Sequence, residues 1–421
     1  LQMHDGETVV MAVSPTGLVE LDGDSVKWRD MFGANKSQDT VVIRPDLEKL
    51  DLSVREFIDL SSLRATDSGR IVGPKAAKLG ELKHHYPDKV AKGVAIPFGI
   101  FREVVLDKPY KNSGRTVFEW MVSQYEAIHS LPATSEPRKQ AAETLRAEVY
   151  DIIINADFGE KYRKELREAL ISTFGDTETG VFIRSDTNVE DLPGFTGAGL
   201  NLTLFNVVGL ENIFKGINEV WASPFTARAF AWRQSLMETP QHVYPAILIL
   251  QSVANDKSGV LVTEDLDTGD KKILSVAVNE GVGGAVDGQS AESLRIDTRD
   301  GSVRLLATAT APYRNVPSTQ GGVVKLPVSG SESVLKPEEI SRLIQFTKEL
   351  PDSFPSIVDD NGVPAPADVE FGFLNGKLQL FQLRPFLQSR KAQGSSYLMS
   401  MDKALQGNMD QSVMMSGVPE S

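Results

Sequence analysis

The chain contains no cysteine, which excludes disulfides, thiolate metal sites and cysteine nucleophiles. Histidine is scarce: His4, His84, His85, His129 and His242 are the full set. No run of about 18 apolar residues occurs, so nothing reads as a membrane-spanning helix. Positive charge is also short. Lys and Arg number 44 against 57 Asp and Glu, a net charge of -13, which argues against a nucleic-acid surface but leaves local basic pockets possible. The opening Leu1-Gln2-Met3-His4-Asp5 has neither the form of a signal peptide nor that of a natural start. The expectation is a cytoplasmic chain that begins inside a longer protein.

What is present is the composition of a globular protein, with 41% apolar and 24% charged residues in 421. That length is too great for one ordinary core, and two or three lobes are expected. The pattern suggests a short β segment over 1–50, a first lobe over 51–240, a strand-rich lobe over 241–390 and a polar tail over 391–421. Thr8–Val13 and Leu18–Leu21, around a Ser-Pro-Thr-Gly turn, read as a hairpin. From residue 74 a helix is predicted, with Pro74 at its first position and Ala76, Leu79 and Leu82 on one face. Lys75 then sits in the first turn, at the positive end of the helix dipole, where an anionic ligand is one explanation and a solvated lysine the other. Val94–Phe101 reads as a buried strand interrupted at Pro97. Helical spacing predicts helices over 117–130, 138–155, 161–174, 210–222 and 337–350, with Arg228 and Arg233 in a further helical stretch. Ala246–Val253 is the most apolar strand.

Two stretches carry chemistry. In the first, Val181-Phe182-Ile183 is a buried strand that delivers Arg184 at its end, before a polar turn and the glycines Gly194, Gly197 and Gly199. A guanidinium beside exposed backbone N–H groups is a grip for a polyanion, and a glycine-rich surface loop is the plainer alternative. In the second, Asp368–Phe373 and Leu378–Pro385 flank Asn375-Gly376, a strong hairpin signal. A two-residue loop would set Glu370 against Phe381 and mix the faces. An odd-length loop would bring Asp368, Glu370, Gln382 and Arg384 to one face, and that is the expectation. Two carboxylates and an amide are hard oxygen donors of the kind magnesium takes when it also rides on phosphates, with a solvated polar face as the alternative.

Four separated stretches, Gly73–Leu82, Ile183–Leu192, Gln251–Val260 and Asp368–Pro385, together resemble the nucleotide-binding domain of the phosphoenolpyruvate synthase, pyruvate phosphate dikinase and glucan water dikinase family. Rifampicin phosphotransferases share that domain. The resemblance covers about 70–388 and implies an α/β (α+β) ATP-grasp fold whose two lobes clamp ATP. It further implies cleavage of ATP to AMP, with the β-phosphoryl passed to a histidine on a separate swivelling domain. By position, Lys75, Arg184 and Arg384 would hold phosphates and carry the catalytic charge, and Gly194, Gly197 and Gly199 would close over them. Arg228 would join the cluster, and Gln251 to Val253 would lie beside the adenine. Glu370 and Gln382 would hold Mg2+, with Asp368 nearby.

The sequence departs from the family at three places. Ser185-Asp186-Thr187-Asn188 replaces the usual Ser-Ser-Ala-Thr and, with Gly194–Leu200, looks more like the water dikinases. Gly281-Val282-Gly283-Gly284 lacks the acid of the usual Gly-Leu-Gly-Glu turn, with Glu280 beside it. No histidine stands in a phosphohistidine motif, so that domain is expected as a partner in cis or in trans; residues 1–45 are similar to its closing strands. The leading reading is therefore the ATP-binding part of a dikinase acting on water plus a glucan-like acceptor. Pyruvate as acceptor and a degenerate, non-catalytic nucleotide-binding module are the alternatives.

Overall fold

The computed structural model describes residues 10–13, 19–22 and 43–386, apart from 133–134, 191–201, 285–287, 356 and 359–361. The chain forms two units, Leu1–Thr40 with Leu387–Ser421, and Val41–Phe386. In the first, β1 (Val10–Val13) and β2 (Val19–Asp22) pair antiparallel, Val10 opposite Asp22 and Val13 opposite Val19, as the hairpin pattern requires.

The second unit is built on two antiparallel sheets. One contains β3 (Ile58–Asp59), β4 (Gly93–Ile96), β5 (Val181–Thr187), β6 (Thr203–Val207) and β7 (Pro245–Gln251), in the order β3-β4-β7-β5-β6. The other draws on β8 (Lys257–Val262), β9 (Ile273–Glu280), β10 (Glu292–Asp297) and β11 (Val303–Ala307). A separate hairpin follows, β12 (Tyr313–Pro317) with β13 (Val323–Pro327), before β14 (Ala367–Leu374) and β15 (Lys377–Pro385) complete the second sheet. Its order is β11-β10-β9-β8-β14-β15. Although β7 opens the strand-rich half, it pairs with β4 and β5. The change of sheet therefore falls between Gln251 and Lys257, beyond the boundary at 240 suggested by composition.

Around the sheets lie α1 (Pro74–His85), α2 (Val117–His129), α3 (Glu136–Ile154), α4 (Gly159–Phe174), α5 (Leu210–Ala222), α6 (Ala227–Leu236) and α7 (Pro337–Ser353). Their ends follow local chemistry. Thr116 and Glu119 form a reciprocal capping box on α2, and α4 stops at Gly175, whose φ of 99° suits glycine. α5 buries Ile213, Phe214, Ile217, Val220 and Trp221, the face expected from its spacing.

The stretch 94–101 is not one strand. After β4, Pro97 caps a helical turn, Phe98–Phe101, that runs on into a π-helical turn over Arg102–Leu106. Every residue from Gly93 to Phe101 is buried, and a short apolar run buried on all sides carries no period by which strand and helix can be told apart. α1 packs against β5, β7 and β15, so it touches both sheets. Just beyond it, Leu380 N–H of β15 donates to the Lys89 carbonyl at 2.7 Å.

Candidate functional site

Strand β5 runs further than its apolar residues alone predict. Arg184, Ser185, Asp186 and Thr187 pair with Leu248, Ile247, Ala246 and Pro245 of β7, so ladder hydrogen bonds carry the strand through its polar residues. Arg184 therefore stands inside the sheet rather than at its end, and only 8% of it is exposed. Its guanidinium crosses to the other sheet. Nη1 donates to the Phe381 carbonyl at 2.8 Å, while Nη2 donates to Glu370 Oε2 at 3.1 Å and Gln382 Oε1 at 2.9 Å. A planar fork with several donors is what this three-acceptor arrangement needs.

The β14–β15 register explains why those acceptors converge. Asp368 is opposite Arg384 and Glu370 opposite Gln382, so the four polar side chains share a face as expected. The cause is different from the expected one. Leu374 pairs with Lys377 and the loop is only Asn375-Gly376, with φ of 51° and 72°, the pattern of a type I′ turn. The odd residue lies within β15 instead: Phe371 pairs with Leu380, the register shifts, and Phe381 is the bulged residue. Its carbonyl, displaced from the ladder, is the one that accepts from Arg184.

The first turn of α1 is held by β5 as well. Asp186, fully buried, accepts from Lys75 N–H at 2.7 Å through Oδ1 and from Ala76 N–H at 3.2 Å through Oδ2. The anion at this helix N-terminus is thus a carboxylate of the protein itself. Gly73 makes the approach possible, because a Cβ there would lie 2.5 Å from Asp186 Oδ1. Burial, then the charge of Glu190, pushes the Asp186 carboxyl up to about 7, with Lys75 acting the other way. The Lys75 ammonium donates to the Ser185 carbonyl at 2.9 Å and forms an ion pair with Glu190, whose Oε1 also accepts from Thr187 N–H at 3.1 Å. Asp186, Glu190 and the Phe381 carbonyl were not picked out from the sequence. The only available signal was the crowding of acids directly after Arg184.

The remaining predicted residues divide. Arg384 Nε donates to Asp368 Oδ2 at 2.8 Å, which ties the outer pair of the hairpin together. Gln251 ends β7, opposite Val181, and Val253 lies in the segment joining the two sheets. Arg228 is exposed at the start of α6, which packs on α3 and on the turn Ser223–Phe225. Its neighbour Arg233 is buried, donates to the Pro224 carbonyl and lies over the rings of Phe225 and Phe230. Gly194, Gly197 and Gly199 fall outside the described residues. Glu280, beside the departing glycine turn, accepts from Ser329 N–H at 2.9 Å.

Among the described residues there is no cluster of three or more His, Cys, Asp or Glu that could hold a metal alone. The Glu370 and Gln382 oxygens, converging on one guanidinium nitrogen, are still a hard-donor pair of the kind magnesium uses alongside water and phosphate.

Residues 69–404 match the model of the pyruvate phosphate dikinase AMP/ATP-binding domain. A rifampicin phosphotransferase from Streptomyces sp is 26% identical over 338 residues, covering 79% of this chain and 36% of that protein. A protein named as a probable phosphoenolpyruvate synthase, from Methanothermobacter thermautotrophicus, is 27% identical over 366 residues, 85% of this chain and 50% of the relative. The phosphoenolpyruvate synthase of Aeropyrum pernix is 29% identical over 275 residues, 62% of this chain and 31% of the relative. The chain thus spans half or less of the length of these relatives. Their names do not support the water and glucan-like acceptor towards which the wording of 185–200 leaned, and the pyruvate alternative fits them better. Wording at a few positions is a poor guide to an acceptor. The chain belongs to the family of the pyruvate phosphate dikinase AMP/ATP-binding domain.

Proposed function

We propose that this chain is the ATP-binding part of a dikinase-type phosphotransferase, cleaving ATP to AMP, passing the β-phosphoryl to a histidine on another domain and the γ-phosphoryl to water as inorganic phosphate, with pyruvate as the eventual acceptor of the histidine-bound group. The observation that carries the reading is the Arg184 guanidinium, hydrogen-bonded at once to Glu370 and Gln382 of the other sheet, in a chain of this family. Nucleotide bound between the sheets would draw Arg184 and Lys75 onto its phosphates. Glu370 and Gln382, with Asp368 beside them, would then hold Mg2+. Bound there, the ion would neutralise phosphate charge. Arg384 would follow if the phosphates compete with Asp368 for it. The segment after Gln251 joins the two sheets, and Ser252 Oγ is buried there without a partner among the described residues, a polar atom suited to an adenine edge.

Glu370→Gln tests the metal assignment. Titration of ATP into the variant, with and without magnesium, should show the magnesium-dependent gain in affinity reduced by about tenfold or more, because a carboxylate is replaced by a neutral amide. An undiminished magnesium effect would remove Glu370 from the ligand set. A wild-type protein that binds no ATP would defeat the enzymatic reading with either acceptor.

A further inference from the structure

The hairpin β12–β13 belongs to neither large sheet, and all of β13 is exposed, with Val323, Val324 and Leu326 in solvent. It is nonetheless pinned at both ends. Midway along β12, Gly281 and Asn315 form an isolated parallel bridge and Val282 N–H donates to the Asn315 carbonyl at 2.9 Å, and at the root Ser329 N–H donates to Glu280. At its tip, the partner is Asn206 of β6, in the sheet that carries Arg184. Asn206 Nδ2 donates to the Ser318 and Gly322 carbonyls, both at 2.7 Å, and its own carbonyl accepts from Gly322 N–H at 2.8 Å.

Asn206 is built for this contact. It is 3% exposed and takes φ of 52°, in a bulge of β6 where Val181 pairs with Val207 but Ile183 pairs with Leu204. Left-handed backbone at a buried, non-glycine residue within a strand is strain that the surroundings must hold in place, and asparagine tolerates it better than most. Its Oδ1 occupies the space above Gly180, 2.1 Å from where a Cβ would be. The side-chain amide supplies two N–H donors to two carbonyls, which neither aspartate nor an aliphatic residue can do. Three residues before it, Thr203 pairs with Arg184.

We propose that β12–β13 is a strap fixing the spacing of the two sheets, with Asn206 as its latch and as a positioning residue for the Arg184–Glu370–Gln382 contact. The strap itself rests on geometry alone; its effect on nucleotide rests on the ATP-binding reading above. Two variants separate these. Asn206→Gly keeps the left-handed backbone and deletes both donors, and Asn206→Asp keeps the shape while turning a carboxylate towards two carbonyl oxygens. Amide hydrogen exchange over 313–327, measured without nucleotide on variants shown to be folded, should quicken by about tenfold or more at Gly322 and its neighbours. ATP should bind both variants about three- to tenfold more weakly than wild type. Exchange unchanged in both variants would overturn the strap whatever ATP does. Quickened exchange with wild-type ATP affinity would overturn the positioning role. Should wild type bind no ATP, the nucleotide reading fails, while the exchange result still decides the strap.

Discussion

Arg184 has three acceptors and little water, so its neighbours matter more than its charge alone. On β5, Asp186 does the complementary work: its carboxylate fastens the first turn of α1 to the strand through Lys75 N–H and Ala76 N–H. Gly73→Ala should therefore destabilise the protein by roughly 2 kcal/mol, as a Cβ 2.5 Å from Asp186 Oδ1 forces either the cap or the helix to move. Chemical denaturation measures this, and an unchanged midpoint would show that the cap is dispensable. Asp186 also predicts a pH effect. Its carboxyl lies above the ordinary 3.8, at about 7, so the folded state favours the protonated acid. That contribution to stability is full below the unfolded value and is lost as pH rises through about 7. Asp186→Asn cannot ionise, so the unfolding free energy of wild type relative to this variant should fall from about pH 4 to about pH 7 and level off above. A constant difference would contradict the assignment. Of these residues only Arg184 and Lys75 were legible in the sequence, as cations at the ends of recognisable elements. Asp186 and Glu190 were not, because their partners lie over a hundred positions away in the chain or depend on how a turn folds back.

At the scale of elements, the 368–385 hairpin was legible in outcome and hidden in cause. Alternation and Asn375-Gly376 implied two paired strands, and the need for one polar face implied an extra residue somewhere. The two causes give the same faces only from Gln382 onward: an odd loop would put Leu378 and Leu380 on the face of Glu370, and the bulge at Phe381 instead pairs them with Phe373 and Phe371. The two-residue turn makes its own prediction. Gly376 takes φ of 72° with nothing among the described residues within 4 Å of an added Cβ, so Gly376→Ala should cost about 1 kcal/mol in unfolding free energy through backbone strain alone. ATP affinity should be unaffected, and a marked loss would mean that the turn and the polar face are coupled. The helices were the easiest elements to read, because their apolar faces recur over many turns. Phe98–Phe101 failed for the opposite reason, being too short and too uniformly buried to show a period.

At the scale of the whole molecule, the number of sheets could not be read from the chain. β7 looks like the first strand of the second half and pairs into the first sheet, because antiparallel partners are chosen in space and not by proximity in sequence. The hairpin strap was likewise invisible, since no local pattern links residue 206 to 318–322. If the proposed site draws on both sheets, a nucleotide that touches both should stabilise the unit as a whole. Saturating ATP with magnesium, at about a hundred times its dissociation constant, should add about 2.7 kcal/mol to the unfolding free energy. Absence of any rise would argue that the two sheets do not share one ligand. We propose that Arg184, reaching from one sheet to Glu370 and Gln382 of the other, is the phosphate grip of an ATP site. It is tested most directly by titration calorimetry of ATP with magnesium into wild type and Arg184→Ala. Wild type should bind, and the variant should bind at least about tenfold more weakly while remaining folded. Equal affinities, or no binding by wild type, would contradict it.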